Sequence, residues 1–375
     1  MTVDTLTIEG FRSIRKLEKF PMRPLNVLIG SNGAGKSNFV AFFRLLRELV
    51  EQRLQLALAK TEGGADGCLY LGPKVTQRLF AGVSFGRNGY KFALEPGSGN
   101  QLVFADESVF FRGDYTREPR SLGSGHAESK LKRFAQLKDP VPSYVYQGIS
   151  SWVVYHFHDT SLLSGVRREH EIHDNESLRH DASNLAAFLY RLGETDRGCY
   201  EHIRDVVRLA APFFDDFKLR PSVSGAESRI RLEWTQKGSD YPFQPHQLSD
   251  GTLRFICLAT ALLQPAAPAT LIVDEPELGL HPYALALLGD LVAKAKTAKR
   301  QVILSTQSSL LLDCFEPEDV VVVERSGAES TFRRLEAADL SEWLDEYSLG
   351  ELWQKNILGG RPSGDQARAL ALTSR

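Results

Sequence analysis

Eight consecutive residues, Gly30-Ser31-Asn32-Gly33-Ala34-Gly35-Lys36-Ser37, fit the pattern G-x-x-x-x-G-K-[ST] without a gap. Glycines at this spacing let the backbone curl until its N–H groups face a phosphate. Lys36 supplies a mobile positive charge for β- and γ-phosphates, and Ser37 offers a hydroxyl to Mg²⁺. A helix opening at that point adds the positive end of its dipole. Far downstream, Leu271-Ile272-Val273-Asp274-Glu275-Pro276-Glu277 places acids directly after an apolar run. A buried strand ending in Asp274 delivers a carboxylate to the sheet edge where open α/β folds bind ligands. Asp274 is then the magnesium partner, directly or through water. Glu275 is the candidate base that orients an attacking water. Glu277 stays open between a second acid near the metal and a solvated residue at a helix entry.

A third segment, Leu248-Ser249-Asp250-Gly251-Thr252, precedes the acids. Ser249 is a good N-cap for the helix that follows, and Gly251 permits close backbone approach. Taken alone the segment is a helix cap. Beside a complete set of hydrolytic residues it gains a second reading, in which Ser249 and the helix N-terminus grip a γ-phosphate held by another subunit.

The surrounding elements must bring these segments together. Leu6 to Glu9 alternates like a strand, with Gly10 ending it, and Leu25 to Ile29 is a short apolar run typical of a buried strand. After Lys36 the apolar residues Phe39, Phe42, Phe43, Leu46, Leu49 and Val50 recur at helical spacing. From about Thr61 glycines punctuate short runs such as Val83 to Phe85, which predicts an antiparallel β region. Residues 113–140 read as a loop or partly mobile helix, and Ser151 to Phe157 as a strand. Leu185 to Leu192 and His202 to Leu209 read as helices, and Ile230 to Trp234 as a strand. From Ser249 the chain alternates regularly: helix Leu253 to Leu263, strand Leu271 to Val273, a helix opened by Pro282, and strands at Gln301 to Ser305 and Val320 to Val323. This predicts an α/β fold with an antiparallel β subregion and a helical lobe, and no long coiled coil. The expected division is a first nucleotide-binding lobe over 1–159, a mostly helical insert over 160–245, a second lobe over 246–335 and a helical tail over 336–375.

The three segments in this order resemble the ABC-type ATPase heads of the RecF, SMC and OLD group, a P-loop NTPase class. Leu6-Thr7-Ile8-Glu9-Gly10-Phe11-Arg12-Ser13 resembles that group's first strand and its turn, and Ser305-Thr306-Gln307-Ser308 its switch loop. Trp343 to Trp353 resembles the tail of stand-alone RecF-like ATPases. The resemblance spans the chain but is thin across 60–240. It implies two ATP molecules sandwiched between two protomers, so a homodimer on ATP binding. Each ATP would touch Gly30 to Ser37 of one chain, with Arg12 and Asn38 beside it, and Ser249 and Gly251 of the other. ATP and Mg²⁺ are the implied cofactors, with Ser37, Asp274 and a magnesium-sensing glutamine as metal contacts. Gln147 is the nearest candidate for that glutamine, or a plain loop residue. Two departures stand out. Gln307 occupies a position where many heads carry histidine, and glutamine cannot take a proton at neutral pH, so slow hydrolysis is expected. His281 stands where many carry aspartate.

Bulk properties narrow the partners. The chain has 375 residues, 42% hydrophobic and 25% charged, with a net charge of −2. No global electrostatic pull toward nucleic acid follows, so any DNA contact needs a local patch. Residues Arg112 to Lys138 are the candidate patch, diluted by Asp114, Glu118 and Glu128. Cys68, Cys199, Cys257 and Cys314 lack metal or disulfide spacing, which fits a reducing cytoplasm. No apolar run is long enough to span a bilayer, so the chain is not itself a membrane channel; the stretch Asp274 to His281 and the long mixed insert over 60–240 weigh against the alternative of a transporter's ATPase subunit. His156 and His158 share a strand face, where packing competes with a metal site. No nuclease-like acidic cluster follows residue 325, so a nuclease effector would be a separate chain. The tail residues Leu340, Trp343, Leu344, Tyr347 and Leu352 are expected to pack on the head.

Overall fold

The computed structural model describes residues 1–113, 119–137, 139–224, 227–296 and 300–360. Asp114, Arg117, Glu118 and Lys138 of the basic stretch lie outside the described residues. The chain opens with β1 (Thr5–Phe11), β2 (Ile14–Pro21), β3 (Leu25–Ile29), α1 (Lys36–Val50) and α2 (Leu54–Ala59). Next come β4 (Leu79–Phe85), β5 (Asn88–Pro96), β6 (Leu102–Phe111), β7 (Arg120–Gly123), α3 (Leu131–Gln136), α4 (Pro140–Ser150) and β8 (Val153–Tyr155). The middle of the chain forms β9 (His170–Glu171), α5 (Leu185–Thr195), α6 (Arg197–Ala210), β10 (Phe214–Lys218), β11 (Ser222–Ser224), β12 (Glu227–Ile230) and β13 (Glu233–Gln236). The last third contains α7 (Asp250–Leu263), β14 (Thr270–Asp274), α8 (Pro282–Ala295), β15 (Gln301–Ser305), α9 (Ser309–Leu312), β16 (Val320–Ser326), β17 (Glu329–Arg334), α10 (Ser341–Leu344) and α11 (Leu349–Gln354).

The central sheet runs in the order β17-β16-β3-β15-β14-β8. All neighbours pair in parallel except the edge strand β17. Parallel strands are covered on both faces, and their residues alternate between two cores. Val27, Ile29, Leu271, Val273, Val302 and Leu304 join the core built with α5 to α9. Leu28, Ile272 and Ile303 join the core built with α1 and the antiparallel sheet β2-β1-β4-β5-β6-β7. The sheet is therefore the floor of both halves, and the two candidate loops rise from one edge of it. The register aligns Asp274 with Ser305 and Ser305 with Leu28. Two strand spacings, roughly 10 Å, thus separate the acid from the end of the strand that feeds the phosphate loop.

Several expectations are adjusted. β1 does not stop at Gly10: it continues to Phe11, with Gly10 at φ +77°. The strand expected from Ser151 narrows to Val153–Tyr155, because α4 reaches Ser150. The stretch read as a loop or partly mobile helix over 113–140 carries a helix, α3, and also the strand β7 among its described residues. Helices α5 and α6 share one core with α7 and α8, so the middle segment packs as part of the second half.

Candidate functional site

Gly30 leaves β3 at φ +151°, where an added Cβ would lie 2.1 Å from the carbonyl oxygen of Val323. Only glycine lets β16 come that close. Gly35 has φ +116°, and its missing Cβ would meet Ser330 Oγ at 2.1 Å and Ser13 Oγ at 2.9 Å. Those two serines brace the loop. Ser330 Oγ donates to Ser13 Oγ at 2.7 Å and also reaches Ala34 O, and Asn38 Nδ2 donates to Ser13 Oγ at 2.7 Å. Arg325 Nη1 donates to Gly33 O at 3.2 Å. Gly35, which precedes α1, offers no side-chain cap. Among the described residues, the N–H groups of Gly33, Gly35, Lys36 and Ser37 have no hydrogen-bond acceptor. A helix start left open in this way is an anion site.

Lys36 is 3% exposed, and its Nζ donates to Gly30 O at 2.7 Å and Ser31 O at 3.1 Å. Burial pulls its pKa below the ordinary lysine value, opposed by Glu275, Asp274 and Glu277. The ammonium therefore sits in a desolvated place facing acids across the loop. The Ser37 side chain is exposed and makes no hydrogen bond among the described residues. Arg12 Nη1 donates to Asn38 Oδ1 at 3.4 Å, and both residues border a 460 Å³ cleft with Ser13, Thr61, Glu62 and Leu69.

Across β15, Ser305 Oγ donates to Asp274 Oδ1. Glu275 has φ +44°, a left-handed backbone that costs a non-glycine residue roughly 1–2 kcal/mol. Its N–H is held by Ser305 O at 3.0 Å, and its carboxylate accepts from Gln307 Nε2. Glu277 accepts the backbone N–H of Gln307 at 2.5 Å, while its Oε2 is buried without a partner. Burial pushes the Glu277 carboxyl above the ordinary glutamate range. Glu277 is thus half-buried, holds the N–H of Gln307 and lies close enough to Lys36 to act on its charge.

The third segment is Leu248 to Thr252. Ser249 caps α7, accepting from Thr252 N at 3.1 Å and lying 2.9 Å from Thr252 Oγ1, and it is exposed. Gly251 serves an internal contact, since a Cβ there would lie 2.1 Å from Gly279 O. Two arginines that sequence reading passed over fix this turn. Buried Arg167 donates to Pro245 O, Leu248 O and the Asp250 carboxylate. Buried Arg254 joins Leu278 O, Phe157 O and His158 O. His281 acts as a cap for α8, its Nδ1 accepting from Tyr283 N at 3.2 Å.

Gln147 is corrected. It lies exposed on α4, before β8, next to Gly148, whose neighbours are Phe85 and Met1. Met1 O accepts from Thr270 Oγ1 at the N-terminal end of β14, the end opposite Asp274. The residue that reaches the acid comes after β8: His158 Nε2 is 2.8 Å from Asp274 O, and His156 stacks on His158 at 4.4 Å. Burial and the neighbouring His158 hold the His156 imidazole below its ordinary value. Among the described residues no group of three or more His, Cys, Asp or Glu is placed to hold a metal ion. The donors available to magnesium are the free Ser37 hydroxyl and the remaining oxygen of Asp274. That set fits an ion whose other ligands are phosphate oxygens and water.

An open phosphate loop on a parallel sheet, acids two strands away and a capped turn on a separate helix define a P-loop NTPase with the fold of an ABC-type ATPase head. Solved structures share that fold. One is an SmcHead bound to the C-winged helix domain of ScpA, 13% identical, covering 90% of this chain and 99% of that one at a TM-score of 0.61. Another is the Smc head domain with an extended coiled coil bound to the C-terminal domain of ScpA from Pyrococcus furiosus. It is 14% identical over 92% of this chain and 98% of that one, at a TM-score of 0.55. The chain belongs to the family described as "AAA domain, putative AbiEii toxin, Type IV TA system", whose model matches residues 25–313. No curated protein matches the sequence. No helix among the described residues is long and apolar enough to cross a membrane.

Proposed function

We propose that this chain is a magnesium-dependent ATPase that works as a dimerising switch in the cytoplasm. The observation that carries the reading is the exposed, serine-capped turn at Ser249, on a different helix from the open start of α1. The N–H groups of Gly33, Gly35, Lys36 and Ser37 and the Lys36 ammonium bind the triphosphate. Arg12 and Asn38 border the cleft for the nucleoside, and Ser37 with Asp274 holds Mg²⁺. When bound, the ion offsets phosphate charge and aligns the γ-phosphate. Glu275 takes the proton of the attacking water, oriented by Gln307. Ser249 and the first turn of α7 then receive the γ-phosphate of a second copy's nucleotide.

Gln307 also supports a second reading. Its amide donates to Glu275, and it cannot accept a proton at neutral pH, so turnover is slow or negligible and bound ATP itself holds the shape that a partner reads. In both readings the downstream role is DNA maintenance or antiviral defence, through DNA or a separately encoded effector such as a nuclease. Both roles follow from the resemblance to RecF, SMC and OLD heads; the family description, a putative toxin of a type IV TA system, and the Smc heads bound to ScpA domains support a separate protein partner.

The test is Glu275→Gln. Proton abstraction is worth about 10²–10⁴-fold, so phosphate release falls by about that factor. ATP binding persists, and the variant with ATP and Mg²⁺ has the mass of a dimer. A variant that stays monomeric at saturating ATP overturns the proposal.

A further inference from the structure

The tail does more than cover an apolar face. Leu349, Leu352 and Leu358 are buried in the core shared with α9, which fixes the tail's path. Along that path it touches both halves of the nucleotide site. Gln354 Nε2 donates to Ser309 Oγ at 2.7 Å, and Gly350 N donates to Asp313 Oδ1 at 2.6 Å. Both contacts hold α9, whose cap Ser308 follows Gln307. Gly350 is needed there, because a Cβ would lie 2.4 Å from Ser309 O.

At Gly360, the last described residue of the tail, the chain meets the phosphate loop. Gly360 O accepts the N–H of Ser31 at 2.7 Å, and Gly360 N donates to Glu324 Oε1 at 2.8 Å. Arg333 Nη2 donates to Leu358 O at 2.7 Å. Gly360 has φ +79°, and an added Cβ would sit 3.3 Å from Gly30 Cα and 3.2 Å from Val322 Cγ1. Between the two anchor points lies a 290 Å³ recess lined by Ser31, Gln307, Ser309, Trp353, Gln354 and Gly360. The Trp353 indole N–H is buried there without a partner.

We infer that Gln354 and Gly360 are positioning residues of the nucleotide site, joined by one short segment that ties the switch glutamine to the phosphate loop. The inference rests on the ATPase reading. It separates two effects. Gln354 acts through Ser309 on Gln307 and so on Glu275, which belongs to the chemical step. Gly360 acts on Ser31 and Gly30, which belong to nucleotide binding. A tail that only stabilised the fold would lower Tm and touch both parameters alike.

The experiment compares Gln354→Ala, Ser309→Ala, their double variant and Gly360→Ala with wild type, using ATP and Mg²⁺. Gln354→Ala lowers kcat about five-fold with KM inside about two-fold, while Gly360→Ala raises KM about five-fold. Ser309→Ala reproduces Gln354→Ala, and the double variant adds nothing, since both remove one hydrogen bond. A second readout needs no turnover. Addition of ATP·Mg²⁺ changes the tryptophan emission of wild type, and Trp353→Phe removes that change while a labelled nucleotide still binds. Unchanged kcat in Gln354→Ala, or an unchanged emission response in Trp353→Phe, overturns the inference while wild-type ATP binding leaves the ATPase reading intact. A wild type that binds no ATP removes both.

Discussion

Two helices begin at the candidate site, and they begin differently. α1 follows Gly35, which has no side chain to give, so its first N–H groups stay open. α7 follows Ser249, whose hydroxyl takes the Thr252 N–H. A serine cap is worth only about a few tenths of a kcal/mol over glycine, so α1 forgoes little stability by leaving its first N–H groups open. An open start needs an anion. A capped start is complete without one and can accept an anion only by trading its own serine contact. Under the proposed function, the ligand would bind first at α1, and α7 would engage what a second copy presents. That order suits a nucleotide held by one copy and clamped by the next.

The comparison breaks most sharply at Lys36. Replacing it by Met removes the ammonium that is hydrogen-bonded to the carbonyls of Gly30 and Ser31, and nucleotide affinity falls at least about 100-fold by titration calorimetry. The same substitution removes a buried charge. The ligand-free variant gains about 1 kcal/mol, read as a Tm about 2 °C above wild type. Loss of binding with loss of stability would mean that Lys36 is a structural residue, and α1 would then be no ligand site.

Mixing two dead variants sharpens the contrast between the helices. Lys36→Ala spoils the α1 side and leaves α7 intact; Ser249→Arg does the reverse. Each alone hydrolyses no ATP. In a random mixture half of the dimers are hybrids, and each hybrid holds one site made of sound parts, so activity returns to about a quarter of wild type. If both helices served one nucleotide within a single copy, mixing would restore nothing.

The two helix starts were also the most legible parts of the sequence. Gly30 to Ser37 are consecutive, and their chemistry follows from backbone freedom, which a sequence displays directly. Ser249 was legible as a cap for the same local reason. What stayed hidden acts across the chain. Nothing near Ser13 or Ser330 marks them as braces of Gly35, because the contact spans two strands far apart in sequence. Arg167 and Arg254 looked like ordinary charges, yet each is buried among backbone carbonyls. Gln147, open in the sequence between a magnesium-sensing glutamine and a plain loop residue, lies exposed on α4 ahead of β8. A residue ahead of β8 belongs to the wrong end of a parallel sheet, and the side chain that reaches Asp274 follows that strand as His158.

The smallest expected effect lies at Glu277, and it tests whether the switch segment is tied down on the side facing α1. Burial raises its folded pKa above the ordinary value of 4.5. In the window above 4.5 and below the folded value, the folded protein holds a proton that the unfolded chain has released. Stability therefore falls as pH rises through that window. Glu277→Gln keeps an oxygen acceptor for the Gln307 N–H but has no proton to lose. At pH 4 the variant and wild type melt together; by pH 7 the variant melts about 2 °C higher. A gap that is constant with pH would mean the carboxyl is solvated in the folded protein. The hydrogen bond to Gln307 would then restrain little, and the switch glutamine would be held by Glu275 and, through Ser309, by Gln354.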